Sequence, residues 1–237
     1  MASHEVLVIC DSRGANLQEL LDEQPGNSEI NWTVKVYKGA TLNTISSKLR
    51  GQHKKFGLIV VIAGICNFTT KTRVRTRNSI EYPQRKKEDT IKEIDKLLER
   101  YNNKIHLCTI TPADLLKRKD HDSTVTEEDQ TNLEQDISET NQYIITKNNE
   151  RDFPTIDLAY NSYTKSIKKQ GPKKKRITKF TSKDLPDGIH PSEDLKRDWA
   201  RYIAQRTPQI IAKIEAKLDD ESSDSDKEQE SWRFKRQ

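Results

Sequence analysis

Short apolar runs alternate along the chain with longer amphipathic stretches. Val6-Leu7-Val8-Ile9-Cys10 is continuously apolar and stops at Asp11-Ser12. A run that is apolar on both faces predicts a buried parallel strand. Leu17, Leu20 and Leu21 then fall at i, i+3 and i+4, which predicts a helix over 15–23 that ends at Pro25-Gly26-Asn27. Trp32, Val34 and Val36 alternate and predict a second strand over 31–37. Leu42, Ile45 and Leu49 mark a helix over 41–50, and 56–63 (FGLIVVIA) is the strongest apolar run, a central strand. A helix over 86–101 follows from Ile91, Ile94, Leu97 and Leu98, then a fourth strand over 104–111 stopped by Pro112. Leu133, Ile137, Ile144 and Ile145 stripe a long helix over 127–149, and 155–158 reads as a short fifth strand. The stretch 163–183 has no periodicity and reads as a loop. A last helix over 191–218 carries Trp199, Tyr202, Ile203, Ile210, Ile211 and Ile214 on its inner side, with Pro208 expected to kink or split it.

Strand followed by helix, repeated about five times, implies an α/β fold: a five-stranded parallel sheet with helices on both faces. The 237 residues suit one such domain, 1–218, and a tail, 219–237, whose acidic low-complexity stretch (DDESSDSDKEQE) is expected to be disordered. Only 32% of residues are hydrophobic and 33% are charged, so the core must be concentrated in the strands. Cys10, Cys66 and Cys108 are odd in number and lack paired spacing, which points to a reducing compartment rather than a disulfide framework. With no secretory signal and no apolar stretch near ~18 residues, an intracellular location, cytoplasmic or nuclear, is expected. The sequence has neither a metal-ligand cluster nor a glycine-rich phosphate loop, so no cofactor is expected.

The chemistry lies where the strands end. In an open α/β sheet ligands bind at the carboxyl ends of the strands. Three such ends carry Asp11-Ser12, Gly39 and Gly64-Ile65-Cys66-Asn67, and Asp187-Gly188-Ile189-His190-Pro191 precedes the last helix. A serine hydroxyl becomes a nucleophile when an imidazole takes its proton, and the imidazole needs a carboxylate to fix its tautomer. Ser12, His190 and Asp187 are the candidates for these roles. The backbone N–H groups of Ser12 and Gly39, with the Asn67 amide, are candidate donors to an oxyanion.

These four blocks resemble the SGNH, or GDSL, family of serine hydrolases. The family has a Gly-Asp-Ser near the N-terminus, a glycine after the second strand, a Gly-x-Asn-Asp after the third, and an Asp-x-x-His before the last helix. The resemblance covers roughly residues 5 to 215. It implies a flavodoxin-like three-layer α/β/α sandwich and a serine esterase acting by acyl transfer on a small-molecule ester, with Ser12 as nucleophile and His190 and Asp187 completing the triad. The chain departs from the pattern in the first and third blocks. Cys10 stands at the first-block glycine, and Arg13 follows the serine. In the third block Cys66 occupies the asparagine position and Asn67 falls one residue later. A thiol is a poor oxyanion donor, and losing one donor costs ~10²–10³ in rate.

Charge adds a second theme. The segment 165–179 (KSIKKQGPKKKRITK) holds eight cations and no acid, including Lys173, Lys174, Lys175 and Arg176. The segment 71–87 holds seven cations, including Arg73, Arg75 and Arg77, and one acid, Glu81. Three readings stand side by side: solvated loops, a nuclear import signal at 172–176 (PKKKR), and a basic rim for nucleic acid or another anionic partner. The last defines the alternative to an enzyme, an SGNH-like module with weakened chemistry that binds nucleic acid. Domains resembling this family also occur in proteins of mobile elements.

Overall fold

Two apolar strands, β1 (His4–Cys10) and β3 (Leu58–Ile62), form the middle of the sheet. β2 (Ile30–Val36) lies outside β1, and β6 (Ile105–Leu107) lies outside β3. The order is β2-β1-β3-β6, and each of the three pairings is parallel. The computed structural model describes residues 3–25, 29–69, 72–73, 80–81, 87–101, 104–117, 125–170 and 173–234.

Alternate side chains of the inner strands enter two separate cores. Val6, Val8, Cys10, Leu58, Val60 and Ile62 pack with Leu17 and Leu21 of α1 (Leu17–Asp22) and with Trp199 and Ile203 of α6 (Glu193–Phe234). Leu7, Ile9, Ile59 and Val61 face the other way. They pack with Ile45 and Leu49 of α2 (Leu42–Leu49), Ile94 and Leu97 of α4 (Lys87–Tyr101), and Leu133 and Ile137 of α5 (Glu127–Glu150). The result is a three-layer α/β/α arrangement, with each fully buried aliphatic side chain contributing roughly 1.5–3 kcal/mol. Both inner strands are apolar throughout because both of their faces are covered. β2 is an edge strand: Trp32 is buried, Val34 half-buried and Val36 exposed.

Local chemistry fixes the helix starts. The Thr41 hydroxyl accepts the Thr44 N–H at the head of α2, and α5 opens on a capping box between Thr126 and Asp129.

The fifth strand expected over 155–158 is not formed: among the described residues the parallel sheet has four strands. The segment does lie beside the extension of β6, and Ile156 and Leu158 are buried there. Side chains replace the backbone ladder that would make it a strand. The Ile156 N–H donates to His106 Nε2, the Ala159 N–H to Thr109 Oγ1, and Thr111 Oγ1 to the Leu158 carbonyl. One backbone bond remains, from Thr109 N to Ile156 O.

Two further differences concern the second half of the chain. The stretch 163–183, expected to be a loop, contains an antiparallel ribbon of β7 (Tyr163–Gln170) and β8 (Lys173–Phe180). Its strands lack the apolar–polar alternation that marks a half-buried strand. α6 runs through Pro208 as one helix and on to Phe234, past the expected end at 218. The stretch expected to be a disordered tail therefore carries helical backbone as far as Phe234; among the α6 side chains described, Ile214 is the last in the core and Leu218 is exposed. Two short strands, β4 (Thr72–Arg73) and β5 (Ile80–Glu81), pair in the basic segment after a short helix, α3 (Ile65–Thr69). Arg75 and Arg77 lie outside the described residues. Among the described residues no helix is long and apolar enough to cross a membrane.

Candidate active site

β1 ends at Cys10, and the chain turns at once into a single 3-10 turn over Ser12–Gly14. Asp11 caps that turn by accepting the Arg13 N–H at 3.0 Å, and the Asp11 N–H donates to Ile62 O of β3. Ser12 thus stands at the carboxyl edge of the sheet, beside its two central strands.

The turn is held from beneath by a buried ion pair. Arg13 is 1% exposed and Asp11 fully buried. Arg13 Nε and Nη2 reach the Asp11 carboxylate at 3.0–3.3 Å, and Nη1 donates to Thr111 O at 2.9 Å. A planar guanidinium is suited to such forked contacts. The pair joins the turn after β1 to the segment after β6. Gly14 follows because a side chain there would meet Cys10, whose Sγ lies 2.1 Å from the Cβ position. Burial, with the Asp11 charge beside it, pushes the Cys10 thiol up to about 12, although Arg13 opposes the rise. Cys10 is therefore packing material rather than a nucleophile.

The late loop reaches the same edge. Gly188 has φ +83°, and a Cβ there would lie 2.3 Å from Asp114 O, so only glycine fits. Its carbonyl accepts the Asp114 N–H at 2.7 Å, which pins the loop to the segment after β6. Asp187 Oδ1 accepts the backbone N–H groups of Ile189 and His190 at 2.9 and 2.7 Å. Its Oδ2 lies 2.6 Å from His190 Nδ1. His190 Nε2 lies 3.0 Å from Ser12 Oγ, across 178 residues of sequence.

The chemistry of the donors orients this chain of contacts. Partial burial raises the Asp187 pKa, but the His190 side chain and the two backbone N–H groups outweigh it and hold the carboxyl down at about 2. At neutral pH Asp187 is ionised and can only accept, so His190 Nδ1 carries the proton. With Nδ1 committed to Asp187, Nε2 is the ring nitrogen that faces the Ser12 hydroxyl.

The remaining site residues are placed as follows. Gly39 has φ +68° in the turn after β2, closed by the Ala40 N–H on Tyr37 O. Asn67 is buried in α3, and both ends of its amide are engaged. Its Oδ1 accepts the Leu42 N–H at the start of α2 at 3.0 Å, and its Nδ2 donates to Glu93 Oε2 of α4 at 2.7 Å. Glu93 Oε2 also accepts the Asn43 N–H. Asn67 thereby ties α3 to α2 and α4, with one Nδ2 hydrogen left over. Sequence reasoning missed two of these contributors. Arg13 was signalled only by an acid and a base at i and i+2 around the serine, and Glu93 gave no signal. Lys173, Lys174, Lys175 and Arg176 lie on β8, and Arg73 on β4.

No family model and no curated protein matches the sequence. Solved structures do. The chain is similar to a lipase/acylhydrolase from Enterococcus faecalis at 16% identity, covering 85% of this chain and 94% of that one, with a TM-score of 0.55. It is similar to a GDSL-like lipase from Bacteroides thetaiotaomicron at 16% identity, 89% and 88% coverage and a TM-score of 0.57. It is also similar to an acetylxylan esterase from Geobacillus stearothermophilus at 12% identity, 89% and 94% coverage and a TM-score of 0.52. At these identities the likeness is one of fold.

Proposed function

We propose that this chain, whose fold is that of the SGNH/GDSL hydrolases, is a serine esterase acting by acyl transfer through Ser12. The observation that carries this reading is the continuous contact from Ser12 Oγ to His190 Nε2 at 3.0 Å and from His190 Nδ1 to Asp187 at 2.6 Å.

His190 Nε2 takes the Ser12 proton as Oγ attacks the ester carbonyl carbon. Asp187 stabilises the imidazolium that results. The carbonyl π electrons move to oxygen, which is held by the backbone N–H groups of Ser12 and Gly39 and by the second N–H of Asn67. His190 then protonates the departing alkoxide, leaving Ser12 acylated. Water repeats the sequence and releases the acid. Asn67 supplies at most one hydrogen, because the other goes to Glu93.

The Asp187 and His190 side chains are each 48% exposed. A site this open suits a short acyl group and a recognition surface outside it. Acetyl esters fit this description, and one structurally similar protein is an acetylxylan esterase. The test is hydrolysis of p-nitrophenyl acetate by the purified chain, by Ser12→Ala and by His190→Ala. The parent is expected to turn over and both variants to fall to background, with unchanged circular dichroism. Equal rates in parent and Ser12→Ala overturn the assignment.

A further inference from the structure

The β7–β8 ribbon plays no part in the proposed hydrolysis. It forms a sheet of its own, separate from the four-stranded one. Its root is built into the domain: Tyr163 and Phe180 meet edge to face at 6.2 Å, Phe180 packs on the core, and the Thr181 N–H donates to Ser162 O. Beyond that root the composition changes. Between Lys165 and Lys179 there are eight cations, no acid and no aromatic residue.

The register distributes these cations unusually. Lys168 stands opposite Lys175 and Lys169 opposite Lys174. Cations also occupy the pairs Thr164–Lys179, Lys165–Thr178, Ile167–Arg176 and Gln170–Lys173. Positions along a strand alternate in parity, and the cations occupy register positions of both parities. Ile167 and Ile177 fall in neighbouring pairs, so the two apolar positions do not share a parity. Like charges directly opposite oppose pairing. A two-stranded ribbon with no apolar face is marginal on its own. An anionic surface on both sides would remove the repulsion.

The dimensions select among polyanions. Eight residues per strand extend about 26 Å. The major groove of B-form DNA, about 12 Å wide, admits a two-stranded ribbon between its two phosphate backbones. The A-form major groove is too narrow. Single strands are held largely by stacking on aromatic side chains, which this segment lacks. Its cations are seven lysines and one arginine, and lysine is a flexible point charge suited to phosphates.

We propose that the β7–β8 ribbon is a sequence-independent binding site for duplex DNA, separate from the Ser12 site. The test is fluorescence anisotropy of a labelled 20-base-pair duplex titrated with the full chain from 50 to 200 mM NaCl. Binding should weaken with salt, with a log–log slope of about −4 to −7, as four to eight phosphate contacts require. Replacing Lys168, Lys169, Lys174 and Lys175 together by glutamine should flatten the slope by about 3 to 4 and weaken binding at least about 100-fold at 50 mM. The same four changed to arginine should bind like the parent, which separates charge from folding of the ribbon. Ser12→Ala should also bind like the parent, so failure of the hydrolase reading and failure of this one are distinguishable. The proposal is overturned by absence of binding at 50 mM NaCl, or by equal binding of the glutamine variant. Tighter binding of a matched single strand, an RNA duplex or phosphatidylserine vesicles also overturns it.

Discussion

Replacing Arg13 by methionine tests how the serine turn is held. In the parent, Arg13 makes three side-chain contacts to Asp11 and one to Thr111 O, all buried. Arg13→Met keeps most of the volume but leaves the fully buried Asp11 carboxylate without its countercharge. Stranding one member of a buried pair costs about 3–5 kcal/mol, and the Thr111 carbonyl, left without this donor, adds about 1–3 kcal/mol. A loss of at least about 4 kcal/mol is therefore expected from urea unfolding at pH 7, followed by fluorescence of the buried Trp32 and Trp199. The double variant Asp11→Asn/Arg13→Met removes both charges and keeps an acceptor for the turn. Its cost should fall short of the sum of the two single variants by at least about 2 kcal/mol. An internal control is the exposed pair Arg197–Glu23 at 3.7 Å, with side chains 58% and 62% exposed. Arg197→Met should cost no more than about 1 kcal/mol. If Arg13→Met lies within about 1 kcal/mol of the parent, or if the two substitutions simply add, the ion pair does not hold this turn.

Two further outcomes follow from the same structure. Burial first, and the nearby Arg151 second, lower the His106 pKa to about 3. The ring is therefore neutral when folded and titrates near about 6.5 when unfolded. Stability is then full above about pH 6.5 and declines as pH falls toward 3, by about 2 kcal/mol between pH 7 and pH 5. His106→Phe should flatten that part of the urea-midpoint profile, whereas an unchanged slope would remove His106 as its source. Asn67→Ala should lower kcat for an aryl acetate by ~10²–10³ if its second N–H holds the oxyanion. A variant with parental kcat and lower stability would restrict Asn67 to joining α2, α3 and α4.

Much of the sheet was legible because buried parallel strands must be apolar on both faces. Leu7, Val60 and their neighbours announced β1 and β3 with little ambiguity. That Ser12, Asp187 and His190 meet at one edge was legible for another reason: their positions at strand and helix ends leave few places for them, and the structure brings them within hydrogen-bond distance. The failures also have physical causes. The segment 155–158 looked like a strand, but its partners are the side chains of His106, Thr109 and Thr111, and periodicity carries no information about such contacts. The β7–β8 ribbon was read as a loop because cations at odd and even positions alike erase the alternation. Pro208 was expected to kink or split the last helix; it does not split it, and Ile210, Ile211 and Ile214 on its far side are core residues. Asn67 was expected as a candidate oxyanion donor; its bonds to Leu42 and Glu93, which engage Oδ1 and one of its two N–H hydrogens, cross sequence separations of 25 and 26 residues that no local pattern reveals.

The central claim is that Ser12 Oγ is a nucleophile activated by His190. The most direct measurement is intact and peptide mass spectrometry after treatment of the native protein with a fluorophosphonate. One adduct per chain is expected, mapped to the peptide bearing Ser12, absent in Ser12→Ala and strongly slowed in His190→Ala. No adduct on the folded parent, or an adduct that persists in Ser12→Ala, would contradict it.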